Sequence, residues 1–315
     1  MIPLIHKYAV ITFIESLKRE VNDVWPLVKS ANVPIYLETS STQFTSFSAF
    51  STLLKEAHDK LPSTTFIALM QQSAERFIEQ TLPTNDQKIP LLQHLVEYIP
   101  VHSITLNESA SSYSVELETP QQSSSPFLAE LYLLVTVHCC CKRIDAHIGA
   151  PIKYHLKHTH ASDLEQLNID SRTPQFLGQQ STALFYEQTV KLESNLNVTY
   201  PAVFHSEPRN YADQISAVLE GYIGRENLSI EQLSQIIEVN ERTVQRYLKS
   251  EGYTFRRIKE SLNITFAKRV LVERNASISD VAEHLGYADT SQFIRAFRKS
   301  ENTTPLQWLK QTRQP

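Results

Sequence analysis

The feature that most constrains this chain is a pattern that occurs twice in its last third. Ile230, Leu233 and Ile237 stand at i, i+3 and i+7, preceded by Ser229, with Gln232 placed to close a capping box. Val239 follows, and Asn240 can cap a second helix whose Val244 and Leu248 face inward. The second copy keeps the spacing with Ile278, Val281, Ala282 and Leu285. Gly286 ends that helix, Tyr287 follows, and Asp289 with Gln292 caps a helix carrying Phe293, Ala296 and Phe297. Each copy reads as a short helix, a tight turn and a second helix with a polar outer face, a helix-turn-helix.

The outer faces indicate what such helices touch. Helix 240–250 exposes Arg242, Gln245, Arg246 and Lys249, and helix 289–299 exposes Thr290, Ser291, Gln292, Arg295 and Lys299. An arginine can bind guanine bidentately in the major groove and a glutamine can do the same for adenine. Lys249, Arg298 and Lys299 suit phosphates, which orient a protein without reading sequence. Between the copies, Phe255, Ile258, Leu262, Phe266, Ala267, Val270 and Leu271 lie along one face of a helix predicted over 254–274. That length spans roughly 30 Å, against about 34 Å between successive major-groove faces on one side of B-DNA. The spacing predicts two reading helices in consecutive grooves of double-stranded DNA, a bipartite operator.

Charge supports this only when divided. The whole chain carries −4, which by itself argues against a nucleic-acid partner. From residue 209 onward the count is 16 Lys+Arg against 13 Asp+Glu, a net +3, and the remainder carries −7. A chain of 315 residues with 41% hydrophobic content predicts two ordered domains. The boundaries are set at 1–205, a regulatory domain for effector binding or dimerisation, and 209–315, the DNA-binding domain. Pro201 and Pro208 bracket a polar stretch without periodicity that suits a linker.

The first domain mixes helix and strand signals, so an α+β fold is expected before an all-α one. Helices are expected around 50–57 and 77–82, over 91–99 before Pro100, over 127–143, and over 183–196. A hairpin is expected from 101–106 and 113–117, a flexible loop at 119–126, and a short strand at 152–156. The apolar stretch 8–14 lacks a cleavage site, and the longest apolar run, 131–137, is far shorter than the roughly 18–20 residues that cross a bilayer. No membrane partner is expected. Cys139, Cys140 and Cys141 are too few and too close for a disulfide framework, so a reducing, cytoplasmic setting is expected.

Residues 209–315 resemble the DNA-binding domain of the AraC/XylS family of bacterial transcription regulators. The resemblance rests on Ile278, Val281, Ala282, Leu285, Gly286, Tyr287, Ser291, Phe293, Arg295, Phe297, Arg298 and Lys299, followed by Thr304, Pro305 and Trp308. It implies a domain of about seven helices, with Arg242, Gln245 and Arg246 reading one half of a site and Thr290, Ser291, Gln292 and Arg295 the other. It also implies recruitment of RNA polymerase, and activation more than repression. The chain departs from the family pattern at Glu238, where the first turn commonly has glycine, at Ser234, where alanine is common, and at Asn263, where arginine is usual. The amino-terminal part resembles, more diffusely, the sensor domain of ornithine- and virulence-type members, through residues 50–58, 127–143 with 151–156, and 173–185. That implies effector binding or homodimer formation.

Other chemistries fit the residues less well. Three contiguous cysteines on a helix diverge by about 100° each, unlike the spaced ligands of zinc sites, so they read as buried small residues and no metal or cofactor is expected. A cysteine-dependent DNA-repair methyl acceptor fused to an AraC-type reader is the enzyme alternative, but the chain has no cysteine outside 139–141. His155, His158 and His160 do not converge and read as a solvated loop. There is no phosphate loop or nucleophile elbow, and no enzyme is expected. If the first domain binds a small carboxylate effector, Lys153, Tyr154, Lys157 and Arg172 are its candidate partners. Otherwise it serves a constitutive regulator by dimerising or binding a protein partner.

Overall fold

Apolar residues that recur every three to four positions over 47–58, 63–81 and 126–144 become helices, and those that alternate over 103–106 and 113–117 become strands. The computed structural model describes residues 1–82, 90–109, 112–120, 126–159, 172–187, 198–201, 210–224, 228–273 and 276–312. The chain divides into two units: Pro3–Glu38 with Gln43–Glu207, and Pro208–Pro315 with Met1–Ile2 and Thr39–Thr42.

The first unit is α+β. Strand β1 (Leu4–His6) leads into helices α1 (Lys7–Glu20) and α2 (Trp25–Ser30), and pairs antiparallel with β2 (Phe44–Ser46), Ile5 opposite Thr45. Helices α3 (Phe47–His58), α4 (Ser63–Thr81) and α5 (Leu91–Leu95) follow. Strands β3 (Ser103–Glu108) and β4 (Ser112–Glu118) form the expected hairpin, with Leu106 opposite Val115. After α6 (Pro126–Ile144) come β5 (Lys153–His155), β6 (Gln175–Phe176), β7 (Thr182–Glu187) and β8 (Val198–Pro201). The larger sheet runs β6-β5-β7-β4-β3-β8, antiparallel except for the β5–β6 pair.

Helix α6 is the centre of this unit. Every residue from Phe127 to Cys141 is buried, and the helix packs on α3, α4, α5 and β7, as an all-round apolar helix must. Phe50 meets Tyr132 edge-on at 4.9 Å. Its one buried carboxylate, Glu130, accepts the Lys157 and His158 backbone N–H groups at 3.2 and 3.1 Å and the Thr182 hydroxyl at 2.6 Å, which offsets its desolvation. The three cysteines are free and buried. Burial, with Glu75 adding, pushes the Cys139 thiol up to about 12, so it stays protonated and unreactive. Among the described residues no group of His, Cys, Asp or Glu could hold a metal ion. His6, packed among Tyr8, Phe44, Phe77 and Tyr98, is held down to about 4 by desolvation and then by Lys7, and is a neutral core residue.

Several sequence expectations need correction. Residues 183–187 form strand β7, not the start of a helix. Leu184 opposite Val115 and Tyr186 opposite Tyr113 alternate with half-buried Phe185, and pairing between two strands overrides local periodicity. Residues 188–197 lie outside the described residues. The helix expected over 91–99 stops at Leu95, because the Tyr98 carbonyl accepts the His6 N–H at 2.8 Å and the chain turns to present it. His155 is not in a solvated loop but in β5, its ring 4.4 Å from that of Phe185, while His158 lies against Phe127 and His160 is outside the described residues. Pro201 closes β8 at the sheet edge opposite Ser103, so it belongs to a strand and not to the expected linker. Residues 202–209 and 121–125, which hold most of the expected linker and loop, are outside the described residues. No described helix is long and apolar enough to cross a membrane.

The second unit contains α7 (Tyr211–Glu220), α8 (Ile230–Ile236), α9 (Glu241–Ser250), α10 (Phe255–Glu273), α11 (Ile278–His284), α12 (Thr290–Glu301) and α13 (Pro305–Thr312). It is all-α among the described residues, with seven helices. Gly224, at φ 76°, marks a close approach: a Cβ there would lie 2.6 Å from Phe266 and 2.9 Å from His284.

Candidate nucleic-acid interface

Both helix pairs are built from the same local chemistry. Helix α8 starts with a full capping box: Ser229 Oγ accepts the Gln232 N–H at 3.3 Å, and Gln232 Oε1 accepts the Ser229 N–H at 2.8 Å. Helix α11 starts on Ser277, whose Oγ accepts the Asp280 N–H at 3.1 Å. At the other end the Val239 N–H reaches back to the Ser234 carbonyl and the Tyr287 N–H to the Ala282 carbonyl, both at 3.0 Å. This is the long bond of a helix C-cap, and it needs a left-handed residue in the turn. Glu238 supplies it with φ 53° and Gly286 with φ 75°. Helices α9 and α12 are then capped by Asn240 Oδ1, which accepts the Arg242 N–H at 2.9 Å, and Asp289 Oδ1, which accepts the Gln292 N–H at 2.6 Å.

Packing fixes which faces stay outside. Val244 and Leu248 anchor α9, and Phe293 and Phe297 anchor α12, all at most 1% exposed. Around the second pair Tyr287 and Trp308 add ring contacts at 5.3 and 6.0 Å. Helix α10 joins the pairs through buried Ile258, Ile264, Ala267 and Leu271, and Lys259 donates from α10 to the Leu228 carbonyl. Of the expected apolar face, Phe255, Leu262, Phe266 and Val270 are half-buried, while Ile264 was missed. The described helix of 19 residues spans roughly 28 Å. Arg274, expected at its end, lies outside the described residues.

Arg242, Gln245, Arg246 and Lys249 are exposed on α9, and Ser291, Gln292, Arg295, Arg298 and Lys299 on α12, with Thr290 half-buried at its start. Their side chains are not equally engaged. The Gln245 amide donates to Glu241 Oε1 at 2.7 Å, an exposed pair that solvent can break. Gln292 Oε1 accepts the Ala288 N–H at 3.0 Å, so this side chain serves the cap of its own helix. The Thr290 hydroxyl points to Ser279 Oγ at 3.4 Å. Arg246 lies over the ring of Tyr247, 5.1 Å from its centroid, and Tyr247 is 44% exposed. Tyr247 had no place among the residues expected from the sequence. The signal for it is an aromatic residue on a helix whose remaining outward positions are polar.

The candidate effector residues of the first unit are dispersed. Lys153 sits over the Phe185 ring at 4.3 Å, the neighbouring Tyr154 is fully buried and donates to Gln175 Oε1 at 3.1 Å, and Arg172 is exposed. Lys157 lines a cavity of about 420 Å³ together with Phe47, Leu133, Glu130 and His158, where the Glu130 carboxylate is unfavourable for an anionic ligand.

Comparison with known proteins agrees with this geometry. A family profile described as a helix-turn-helix domain matches residues 233–311. Over 120 residues, 38% of this chain, it is 28% identical to the HTH-type transcriptional activator CfaD of Escherichia coli, covering 44% of that protein. Over 78 residues it is 40% identical to the HTH-type transcriptional regulator RipA of Corynebacterium glutamicum, covering 24% of this chain and 23% of that one. The solved structure of the transcriptional regulator CdpR from Pseudomonas aeruginosa aligns over 82% of this chain and 85% of its own, with 18% identity and a TM-score of 0.36. The matched region thus spans less than half the length of these curated relatives. Residues 233–311 of this chain form a helix-turn-helix domain.

Proposed function

We propose that the chain is a sequence-specific DNA-binding transcription regulator that reads two successive major grooves with α9 and α12. The observation that carries this reading is the pair of exposed, polar, arginine-bearing helix faces, each anchored from behind and joined by one continuous helix. Arg242 and Arg246 read one half of the site and Arg295 the other, while Lys249, Arg298 and Lys299 hold phosphates. Gln245 reads after leaving Glu241, and Ser291 and Thr290 support the second half. Gln292 contributes through its cap. Activation is supported by the activator named among the relatives, and recruitment of RNA polymerase is the route proposed for it. Such a regulator works in the cytoplasm. The first unit controls it through a small ligand or through dimerisation, and the cavity beside Glu130 and Lys157 supports a ligand.

In vitro selection of duplex DNA by the full chain tests this. Enrichment of a bipartite site of about 17–20 base pairs, with half-sites one helical turn apart, is expected. No enrichment, or a single half-site insensitive to Arg295→Ala, would overturn it.

A further inference from the structure

We infer that Arg256 and Arg257 of the connecting helix, with Lys299 of α12, form a backbone clamp for the DNA strand that passes between the two half-sites. This rests on the function proposed above and adds Arg256 and Arg257, which lie outside the motif.

The N-terminal half of α10 faces the C-terminal half of α12 across a cleft of about 820 Å³, lined among others by Arg256, Arg257, Glu260, Ser261, Lys299 and Ser300. The charged side chains of this lining sum to +2. Lys299 lies one helical turn beyond Arg295 and therefore on the same face, so the cleft opens toward the side from which bases are read. Helix α10 begins at Phe255, only a short loop after α9 ends at Ser250. The basic cleft thus borders α12 directly and begins at Thr254, where the chain passes from α9 into α10.

Reading helices in consecutive major grooves leave one minor groove between them, bordered by phosphates of both strands. A guanidinium matches a phosphate bidentately, and the Ser261 and Ser300 hydroxyls can donate to the same oxygens. Arg256 is held by Glu260 in the free protein, its Nε donating at 2.8 Å. That pair is exposed, 88% at the arginine and 39% at the glutamate, and exposed pairs are weak enough to exchange. Phosphate replaces Glu260 as the partner of Arg256 when DNA binds, and Glu260 sets how readily this happens. Arg257 needs no such exchange, because it makes no ion pair among the described residues. Backbone contacts carry no base information, so the clamp strengthens every sequence alike.

The test is fluorescence-detected binding of the full chain to its selected duplex and to a scrambled duplex, over a series of salt concentrations. Arg256→Ala with Arg257→Ala is expected to lower the slope of log affinity against log salt by about two, roughly one for each phosphate that is no longer neutralised. The affinity ratio between the two duplexes stays as in the unaltered chain. Glu260→Gln is expected to tighten both duplexes by the same few-fold factor. Thermal unfolding of each variant matching the unaltered chain excludes a folding defect, since these side chains lie on the helix surface. An unchanged salt slope in the double variant, or a collapse of the ratio, overturns the clamp, and weaker binding by Glu260→Gln overturns the exchange. If Arg295→Ala abolishes discrimination while the double variant keeps its slope, only the clamp falls. If the unaltered chain discriminates no duplex, the function proposed above falls with it.

Discussion

The two helix-turn-helix units share a backbone plan and differ in what fills it. The second closes on Phe293, Phe297, Tyr287 and Trp308 around a glycine turn, and the first on Val244, Leu248, Leu233 and Ile237 around a glutamate turn. The carbonyl that closes each turn comes from Ala282 in the second and from Ser234 in the first, where the Ser234 hydroxyl is buried without a hydrogen-bond partner among the described residues. The same fold is therefore reached twice, with glycine at the second turn and, at the first, a left-handed glutamate beside the Ser234 hydroxyl. The surplus of aromatic burial lies in the second helix-turn-helix, which predicts that it is the more stable of the two copies.

The largest test strikes that asymmetry directly. Trp308 reports the C-terminal unit in a Trp25→Phe background, since the chain has only two tryptophans. Phe297→Ala is expected to cost about 3–5 kcal/mol in urea unfolding followed by Trp308, and Val244→Ala nearer 2 kcal/mol. Equal losses would mean that the two cores contribute alike and would break the comparison.

Binding comes next in size. Arg295→Ala should weaken the selected duplex by about 1–3 kcal/mol and relax preference at its base pair. Arg246→Ala should relax a different base pair in the other half-site. A uniform loss over all sequences would reassign either arginine to phosphate.

The turns give a smaller and opposite pair of effects. A residue with a Cβ in the left-handed region costs about 1–2 kcal/mol, and glycine recovers part of this at some entropic cost. Glu238→Gly is expected to raise stability by roughly 0.5–1 kcal/mol and Gly286→Ala to lower it by about 1 kcal/mol, read from the midpoint of urea unfolding. A destabilising Glu238→Gly would show that its carboxylate does more than occupy the turn. The smallest change is Ser234→Ala, with a gain of about 0.5–1 kcal/mol expected from removing an unsatisfied buried hydroxyl. A loss on the same measurement would reveal a partner for that hydroxyl.

Much of the second unit was legible because its signals are local. Ser229 with Gln232, Asn240 and Asp289 are caps whose partners lie within three residues, and every one of them appears as a cap in the structure. The first unit was legible in α3, in the end of α4, in α6 and in the β3–β4 hairpin for the same reason, whereas no helix was expected at α1 or α2. Strands β1 and β2 were not, because three residues carry no period and their partners lie about forty positions apart. Strand β7 was read as helix because Ala183 and Leu184 are good helix formers, while its true partner β4 lies beyond α6. Gln292 is legible in the sequence as the capping partner of Asp289, and the structure adds that its side chain accepts the Ala288 N–H.

The sequence by itself determined the duplicated motif, the capped helices, the apolar anchors and the exposed arginines, since each depends on residues within one or two helical turns. Only the tertiary structure decided the strand order of the first unit and the burial of Glu130 and the cysteines. The gathering of Arg256, Arg257 and Lys299 on one cleft was likewise its decision. Those outcomes join residues about twenty to a hundred positions apart, and no local pattern encodes which distant surfaces will bury each other.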